Sequence, residues 1–316
     1  MSHTTLMLSA GQRADRAQGR SRGTAWVRGL FVFLTIGFIT LFLLLPLVSI
    51  FWEALRPLKG GELAQMVEAG YTGPTSAVGL YWAALTDTNS IHAFKMTLLI
   101  AVIAVPLNTI FGIAAAWSIA KFNFRGKALL TTIIDLPFAV SPVISGMIFV
   151  LLFGRQGLFG PWLIAHGIQI IFAWPGMVLA TVFVSFPFVA RELIPLMQEQ
   201  GTLEEQAAIS LGASGWQTFW HVTLPNIKWG LLYGVLLCNA RAMGEFGAVS
   251  VVTQNLPGQQ NTVPREIEYL YTSFSGPGLR GAFVLSSILA MLGLVTLLAK
   301  TILEWKIRRD QREAAA

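Results

Sequence analysis

The stretch 202-TLEEQAAISLGASGWQTFWHVTLP-225 lies between two long apolar runs and is the most informative part of the sequence. Thr202 and Glu205 have the spacing of a capping box, in which a hydroxyl and a carboxylate satisfy the free amides at a helix start. We therefore expect a short helix over residues 204–211. It should end at Gly212, because glycine readily adopts the left-handed conformation that closes helices.

A second short helix is expected directly after this bend. Ser214 and Gln217 repeat the capping-box spacing, and the helix should run to about Val222, before Pro225 prevents its continuation. Residues 202–225 are thus predicted to form two helices bent at a glycine. Small side chains keep the bend slim, so that another protein's backbone can approach it closely. These small residues are Ala207, Ala208, Gly212 and Ala213.

The flanking sequence is that of a polytopic membrane protein. The 316 residues are 54% hydrophobic and only 12% charged, and the mean hydropathy of +0.62 is too high for an ordinary soluble domain. About 20 helical residues cross roughly 30 Å of hydrocarbon, so long uncharged runs can be counted as spans. We predict an all-α membrane protein with six transmembrane helices. They cover about residues 29–52, 96–120, 128–153, 171–190, 227–251 and 281–303.

Membrane topology explains the net charge of +6 better than nucleic acid binding does, because the basic residues lie at the ends of apolar runs. If the N-terminus is inside, most of the 22 Lys and Arg residues fall on the same side as residues 202–225. The positive-inside rule then places both termini in the cytoplasm. Residues 1–28 are predicted to be a flexible basic tail, residues 29–305 the transmembrane domain, and residues 306–316 a second cytoplasmic tail.

The pattern Ala207-Ala208-x3-Gly212-x9-Val222-x-Leu224-Pro225 resembles the EAA loop of ABC importer permeases, Glu-Ala-Ala-x3-Gly-x9-Ile-x-Leu-Pro. Gln206 stands where that motif has Glu, and Val222 stands where it usually has Ile. Residues 212–234 and 239–252 resemble CysW-type permeases of bacterial sulfate/thiosulfate importers. The sequence around Gly244 is also similar to molybdate permeases.

This resemblance implies a type I ABC importer permease fold, in which residues 202–225 form a cytoplasmic coupling-helix elbow. The elbow docks into a cleft on an ATPase subunit. Whether Glu205 takes the place of the usual glutamate of the motif is left open. The residues assigned to ATPase coupling are Glu205, Gln206, Ala207, Ala208, Gly212, Ala213, Leu224 and Pro225.

The resemblance also implies a set of partners in the cytoplasmic (inner) membrane. They are a second homologous permease of the CysT type, two CysA-type ATPase subunits and an extracytoplasmic sulfate/thiosulfate-binding protein. ATP and Mg would be bound by the ATPase subunits, since this sequence contains no GxxxxGK[ST] phosphate-binding loop. The chain is therefore predicted to be a permease subunit working by alternating access, with no catalytic residue or cofactor of its own. Residues 53–95 and 252–280 are expected to meet the binding protein.

Two charged residues, Arg241 and Glu245, interrupt the predicted fifth span. On a continuous helix Arg241 would lie about 20 Å from Lys228, beyond the membrane midplane. An isolated arginine there costs several kcal/mol, and Glu245 at i+4 is placed to pair with it. Our hypothesis is that Asn239, Arg241, Gly244 and Glu245 line the translocation pathway. The alternative is an ion pair that only fixes packing.

Several other polar or special residues have simpler interpretations. Asp135 is expected to cap a helix or pair between helices rather than couple ion movement, and Pro137 and Pro142 should kink the third span. His166 is interpreted as a solvated loop residue, since no second ligand lies at metal-binding spacing. Cys238, the one cysteine, is interpreted as a small buried side chain. No metal site is predicted.

Three alternatives differ from a sulfate importer. A molybdate or other oxyanion ABC permease would share the loop pattern. A secondary transporter driven by an ion gradient would need no ATPase-docking elbow and often has internal repeats, which we do not find here. A membrane-embedded enzyme is disfavoured, because the sequence has no cluster of catalytic side chains and no nucleophile motif.

Overall fold

The computed structural model describes residues 26–58, 60–68, 72–254, 260–273 and 276–314. The chain divides into two compact units, Met1–Glu53 and Ala54–Ala316. Every regular element in the described ranges is helical, which confirms the all-α prediction. Most of the predicted N-terminal tail, through residue 25, lies outside the described residues. The predicted C-terminal tail is the end of a helix that reaches Ala314.

The first described helix, α1, covers Trp26–Leu55 and contains a π-helical turn at Thr40–Leu44. In chain order the later helices are α2 (Gly60–Glu68), α3 (Ala77–Thr86), α4 (Thr88–Lys121), α5 (Lys127–Ala139), α6 (Pro142–Phe153), α7 (Gly160–Ala165), α8 (Trp174–Gln200), α9 (Leu203–Ser210), α10 (Gly215–Thr218), α11 (Leu224–Met243), α12 (Gly247–Val252), α13 (Val263–Thr272) and α14 (Gly276–Ala314).

Four helices of the described residues are long and apolar enough to cross a membrane: α1, α4, α8 and the Gly278–Lys306 part of α14. Helices α5 and α6 make a fifth span if the bent pair is counted as one, with 109° between the two helices. The predicted kink of the third span is thereby confirmed. Helix α11, in the region of the predicted fifth span, is not among these candidates. The described structure thus gives four or five spans where the sequence predicts six.

Helix α8 continues about ten residues past the predicted end of the fourth span, to Gln200. The sequence-based limit was set by the first charged residue, Arg191. A charge marks the end of an apolar run but leaves the backbone hydrogen bonds of the helix intact, so hydropathy underestimates the helix. Arg191 accordingly lies within α8 and not in the following loop.

The core of the second unit is built where α4, α8 and α11 meet. Val189 of α8 is fully buried between two glycines, Gly112 of α4 and Gly234 of α11. A Cβ atom on Gly112 would lie 2.8 Å from the Cβ of Val189, and one on Gly234 would lie 3.3 Å from its Cα. Small residues at such crossings let helix backbones approach closely, which is how helices associate in membranes.

A buried polar contact ties the same three helices together. The Asn108 amide of α4 donates to the Ser185 hydroxyl of α8 at 2.8 Å and approaches the Cys238 sulfur of α11 at 3.6 Å. All three side chains are almost fully buried. The predicted interpretation of Cys238 as a small buried side chain is confirmed. The Ser185 hydroxyl also donates to the Thr181 carbonyl of its own helix, so it is satisfied both as a donor and as an acceptor.

At the other end of α4, short helices pack around the start of the span. The backbone N–H of Val263, at the start of α13, donates to the Thr97 hydroxyl at 2.8 Å. The hydroxyl groups of Tyr81 of α3 and Ser287 of α14 are hydrogen-bonded to each other at 3.3 Å.

His166, just after α7, is exposed and its Nδ1 lies 2.8 Å from the Trp162 carbonyl oxygen. That position agrees with the interpretation of His166 as a loop residue.

Candidate functional site

The bend of the 202–225 segment is a closed helix C-terminus. Gly212 has φ +93°, the left-handed conformation expected from the sequence. The N–H of Gly212 donates to the carbonyl of Ile209 at 2.9 Å, and the N–H of Ala213 donates to the carbonyl of Ala208 at 3.0 Å. These two bonds form a Schellman motif, which satisfies carbonyls left free at the end of α9. The chain therefore turns sharply with its backbone bonds satisfied.

The capping box predicted at Ser214 is present. Its hydroxyl accepts from the Gln217 N–H at 3.3 Å, while the Gln217 side chain accepts from the Ser214 N–H at 2.8 Å. The box predicted at Thr202 is wrong, because Thr202 makes no side-chain cap and Glu205 is engaged elsewhere. The Thr202 hydroxyl instead accepts from Nε2 of Gln206 at 3.1 Å.

The helix that begins at Gly215 does not stop before Pro225, so that prediction is also wrong. It continues through a π-helical turn, Phe219–Thr223, directly into α11. In this turn the N–H of Leu224 donates to the carbonyl of Phe219, five residues earlier. Proline ends an ordinary helix because it lacks an N–H and crowds the carbonyl four residues back. The wider π turn carries the chain past Pro225 instead.

Glu205 joins the bend to the body of the protein. Its Oε1 lies 3.1 Å from Nζ of Lys121, the last residue of α4, and accepts from the Thr223 hydroxyl at 2.7 Å. Lys121 also donates to the carbonyl of Gly201. Both charged side chains are largely buried, so this pair is better shielded from solvent than a surface ion pair. Glu205 faces inward, whereas the neighbouring Gln206 is exposed.

The segment also presents apolar side chains to solvent. Leu211 is 89% exposed, Leu203 79% and Trp216 69%, and Ile209 and Trp220 are also exposed. The rings of Trp216 and Trp220 are in contact, with centroids 5.6 Å apart. Contiguous exposed apolar side chains are typical of interaction sites. We call Leu203, Ile209, Leu211, Trp216 and Trp220 the elbow patch. The small residues Ala207, Ala208, Gly212 and Ala213 lie beside it in sequence and are at least partly exposed.

The second group of predicted site residues lies at the far end of α11. The helix ends at Met243, residues 244–246 are non-helical, and α12 begins at Gly247. Arg241 Nη1 lies 2.5 Å from Glu245 Oε2, so the predicted ion pair is present although the helix between its partners is broken. Glu245 is 2% exposed, and its Oε1 accepts from the Ala248 N–H at 2.8 Å.

The remaining predicted pathway residues have modest contacts. Gly244 forms the C-cap of α11, and the Asn239 amide lies 3.6 Å from the sulfur of Met243. Asn239 is partly buried and makes no contact with the Arg241–Glu245 pair among the described hydrogen bonds. The structure thus brings Arg241, Gly244 and Glu245 together and leaves Asn239 on the preceding turn.

A second break lies against the first. The bend between α5 and α6 falls at Val140–Ser141, and α6 packs on α12 through glycine contacts. A Cβ atom on Gly146 would lie 2.7 Å from the Ala248 carbonyl oxygen, and one on Gly247 would lie 2.9 Å from Pro142. Sequence reasoning noted the prolines of the bend but could not place it beside Arg241, because that contact joins residues about 100 positions apart.

An open cavity of about 270 Å³ lies at this junction. Arg241 lines it together with Ser141 and Pro142 from the bend and Val184 and Phe188 from α8. Arg241 is the one charged residue among those that line it, and its side chain is 30% exposed. The bend therefore surrounds a cationic side chain with mainly apolar walls.

Asp135 of α5 pairs with Arg191 of α8, with Oδ1 and Nε 2.7 Å apart. Of the two roles expected for Asp135, pairing between helices is the one observed. Asp135 lies inside α5 and caps neither of its ends. No group of three or more possible metal ligands occurs among the described residues.

Comparison with known proteins adds two findings on sequence. Residues 108–309 match the family described as binding-protein-dependent transport system inner membrane component. The sulfate transport system permease protein CysW of Escherichia coli K12 is 50% identical over 230 residues, 73% of this chain and 78% of that protein. The CysT permease protein of the same organism is 33% identical over 272 residues, covering 86% and 90% of the two chains.

The fold has a solved counterpart as well. A chain from the crystal structure of a bacterial alginate ABC transporter, in complex with an alginate pentasaccharide-bound periplasmic protein, matches with a TM-score of 0.67. The match covers 92% of this chain and 96% of that chain at 16% sequence identity. At this identity the likeness concerns the fold alone.

Proposed function

Because this chain belongs to the family of binding-protein-dependent transport system inner membrane components, we propose that it is the permease subunit of an ATP-driven sulfate and thiosulfate importer. The assignment of sulfate as the substrate rests on the 50% identity to CysW over most of both chains. The chain itself is not the ATP-hydrolysing part. It moves the oxyanion across the inner membrane by alternating access between two openings.

The elbow patch is the surface for the ATPase. Its exposed Leu211 and Trp216 supply apolar area, and Gly212 lets the chain turn without a bulky side chain at the bend. A CysA-type ATPase, present in two copies and binding ATP and Mg, would cover this patch and the adjacent Gln206. Movement of the ATPase is transmitted to α4 through Glu205 and Lys121, because their ion pair joins the bend to the end of that helix. The remaining loop positions, Leu224 and Pro225, continue this connection into α11.

Helix α11 is the fifth span in this proposal and brings the total to six. Its polar side chains, which keep it from qualifying as a lipid-facing helix, suit a span that faces the inside of a permease. With six spans, both termini and the elbow patch lie in the cytoplasm. The same assignment puts α3 and α13 on the outer side, where they are available to the sulfate-binding protein.

The translocation pathway passes the Arg241–Glu245 pair. Two broken helices meet there, and non-helical backbone at membrane depth is tolerated where it is buried in protein or lines a watery cavity. A second permease of the CysT type would complete the pathway from the other side. The 33% identity to CysT supports a partner permease with the same fold as this chain.

The proposal is tested by labelled sulfate uptake in a strain that lacks its own sulfate permease. Expressing this chain with its partner permease, ATPase and binding protein should restore uptake, and unlabelled thiosulfate should compete. The matched control omits only the ATPase. Uptake that persists without the ATPase, or competition by molybdate but not by thiosulfate, contradicts the proposal.

A further inference from the structure

Building on the proposed function, we propose that the cavity between the two broken helices is an oxyanion subsite, in which Arg241 exchanges Glu245 for the transported dianion. The occupant is a small tetrahedral oxyanion of the sulfate class. Three observations support this inference. They are the cavity, the one charged side chain that lines it, Arg241, and the buried carboxylate of Glu245, which is paired with Arg241. None of the three depends on the elbow.

The cavity has a suitable size and shape. Its volume of about 270 Å³ equals the room taken by roughly nine water molecules at about 30 Å³ each, so a small anion fits with part of its hydration. Pro137, Phe138, Val184 and Phe188 contribute apolar walls to it. A charge beside apolar walls interacts more strongly with a counter-ion than it would in bulk solvent.

Arg241 supplies the positive charge. Only Nη1 takes part in the polar contact of this side chain within the described residues, whereas a guanidinium has five N–H donors. The remaining donors can serve an oxyanion, for which the planar fork of arginine is well matched. Lys228 is about three and a half turns earlier on α11, so no second cation of this helix shares the cavity.

The bend contributes one weaker polar group to the same cavity. Ser141 lines it, and its hydroxyl makes no capping bond to the first turn of α6. A hydroxyl can donate one hydrogen bond, so Ser141 adds a donor to the cavity that Arg241 lines.

Glu245 explains why the subsite would hold its occupant weakly. Its carboxylate is almost fully buried, and the Ala248 N–H donates to Oε1 while Arg241 meets the other oxygen, Oε2. An entering dianion must share or replace this carboxylate at Arg241, and repulsion between the two opposes tight binding. A transport pathway needs such a site, since an anion held too firmly would not leave.

Binding of ³⁵S-labelled sulfate is the direct test. The assembled transporter is placed in lipid nanodiscs without its binding protein, and dialysis measures the dissociation constant for sulfate. Glu245→Gln, which keeps Arg241, should tighten binding about tenfold because a competing charge is removed. Arg241→Gln should abolish saturable binding, and Ser141→Ala should weaken it about threefold. Ser145→Ala is the control for Ser141, because Ser145 does not line the cavity and its hydroxyl donates to the backbone carbonyl of Ser141, which the substitution leaves in place.

The results separate this inference from the proposed function. Wild-type uptake of sulfate with equal sulfate binding by wild type, Glu245→Gln and Ser141→Ala would overturn the subsite and leave the importer assignment intact. Absence of wild-type uptake would overturn the importer assignment itself. If Arg241→Gln fails to assemble, Glu245→Gln still decides the question, since the inference requires this variant to bind sulfate more tightly than wild type.

Discussion

The elbow and the junction of broken helices use charge in opposite ways. At the elbow, Glu205 and Lys121 face inward and are matched to each other, while leucine and tryptophan face solvent. At the junction, Arg241 is turned toward a cavity and its partner Glu245 is buried behind it. The elbow therefore exposes apolar side chains and pairs its charges inside, whereas the junction leaves one cationic side chain at a cavity.

The two regions also differ in the use of glycine. Gly212 at the elbow has an unusual backbone angle and open space around it. Gly146 and Gly247 at the junction have ordinary helical conformations but no space for a side chain. The first glycine is required by conformation and the other two by contact, so substitutions should damage the two regions for different reasons.

The largest effect is expected from Gly146→Leu at the junction. Even the Cβ atom would meet the backbone of Ala248 at 2.7 Å, and overpacking a tight contact costs about 1–3 kcal/mol or more. The melting temperature of the purified transporter should fall, and uptake should be lost. Gly293→Leu is the matched control, because Gly293 lies on α14 with nothing within 4 Å of its Cβ position. Equal melting temperatures for the two variants would contradict the close α6–α12 contact.

Leu211→Glu tests the outward face of the elbow. A carboxylate on this highly exposed residue should leave the fold unchanged, since Leu211 contributes little to the core. It should reduce co-purification of the ATPase and lower sulfate uptake at least about tenfold, the size of effect expected for an interface hot spot. Val67→Glu changes another exposed apolar residue, 61% exposed on α2, and should leave co-purification of the ATPase unchanged. Unchanged ATPase binding in Leu211→Glu would show that the elbow patch is not the docking surface.

Glu205→Gln sharpens the difference between the inward and outward sides of the elbow. The amide can still accept from Thr223 but loses the charge pair with Lys121, which should cost about 1–2 kcal/mol. Uptake should fall by a smaller factor than in Leu211→Glu. The control is Gln206→Glu, at the neighbouring exposed position, and its melting temperature should match that of wild type. A larger stability loss in Gln206→Glu than in Glu205→Gln would reverse the assignment.

The smallest effect is expected from Gly212→Ala. An alanine at φ +93° is strained by about 1–2 kcal/mol, but the bend is exposed and can relax. Thermal unfolding should shift by only a few degrees. Gly215→Ala, at a nearby exposed glycine whose φ is not positive, should be neutral or slightly stabilising. If the two variants are equally stable, the left-handed conformation is not what keeps glycine at residue 212.

Features that depend on neighbouring residues could be predicted from the sequence. The turn at Gly212 and the capping box of Ser214 and Gln217 are confirmed, because their partners lie within a few positions of one another. The Arg241–Glu245 pair is confirmed for the same reason. The permease family prediction, drawn from the loop pattern, is confirmed by the match over residues 108–309.

Features that depend on distant contacts could not be predicted. The Thr202 capping box failed because Glu205 pairs with Lys121, which lies more than 80 positions earlier and is only brought near by the fold. The cavity at Ser141 required the direction of the α5–α6 bend, which is fixed by packing against α12. One sequence signal could have suggested the Glu205–Lys121 pair. Lys121 ends a long apolar run, and the consecutive glutamates Glu204 and Glu205 follow a later apolar run that ends on the same predicted side of the membrane.

The helical backbone is continuous from Gly215 to Met243, where the sequence predicts two separate parts. At about 1.5 Å per residue this helix is about 40 Å long, comparable to the full thickness of a bilayer. One helix thus joins Trp216 of the elbow patch to Arg241 beside the break at residues 244–246. We therefore expect a displacement of the Trp216 end to be passed along this helix to Arg241.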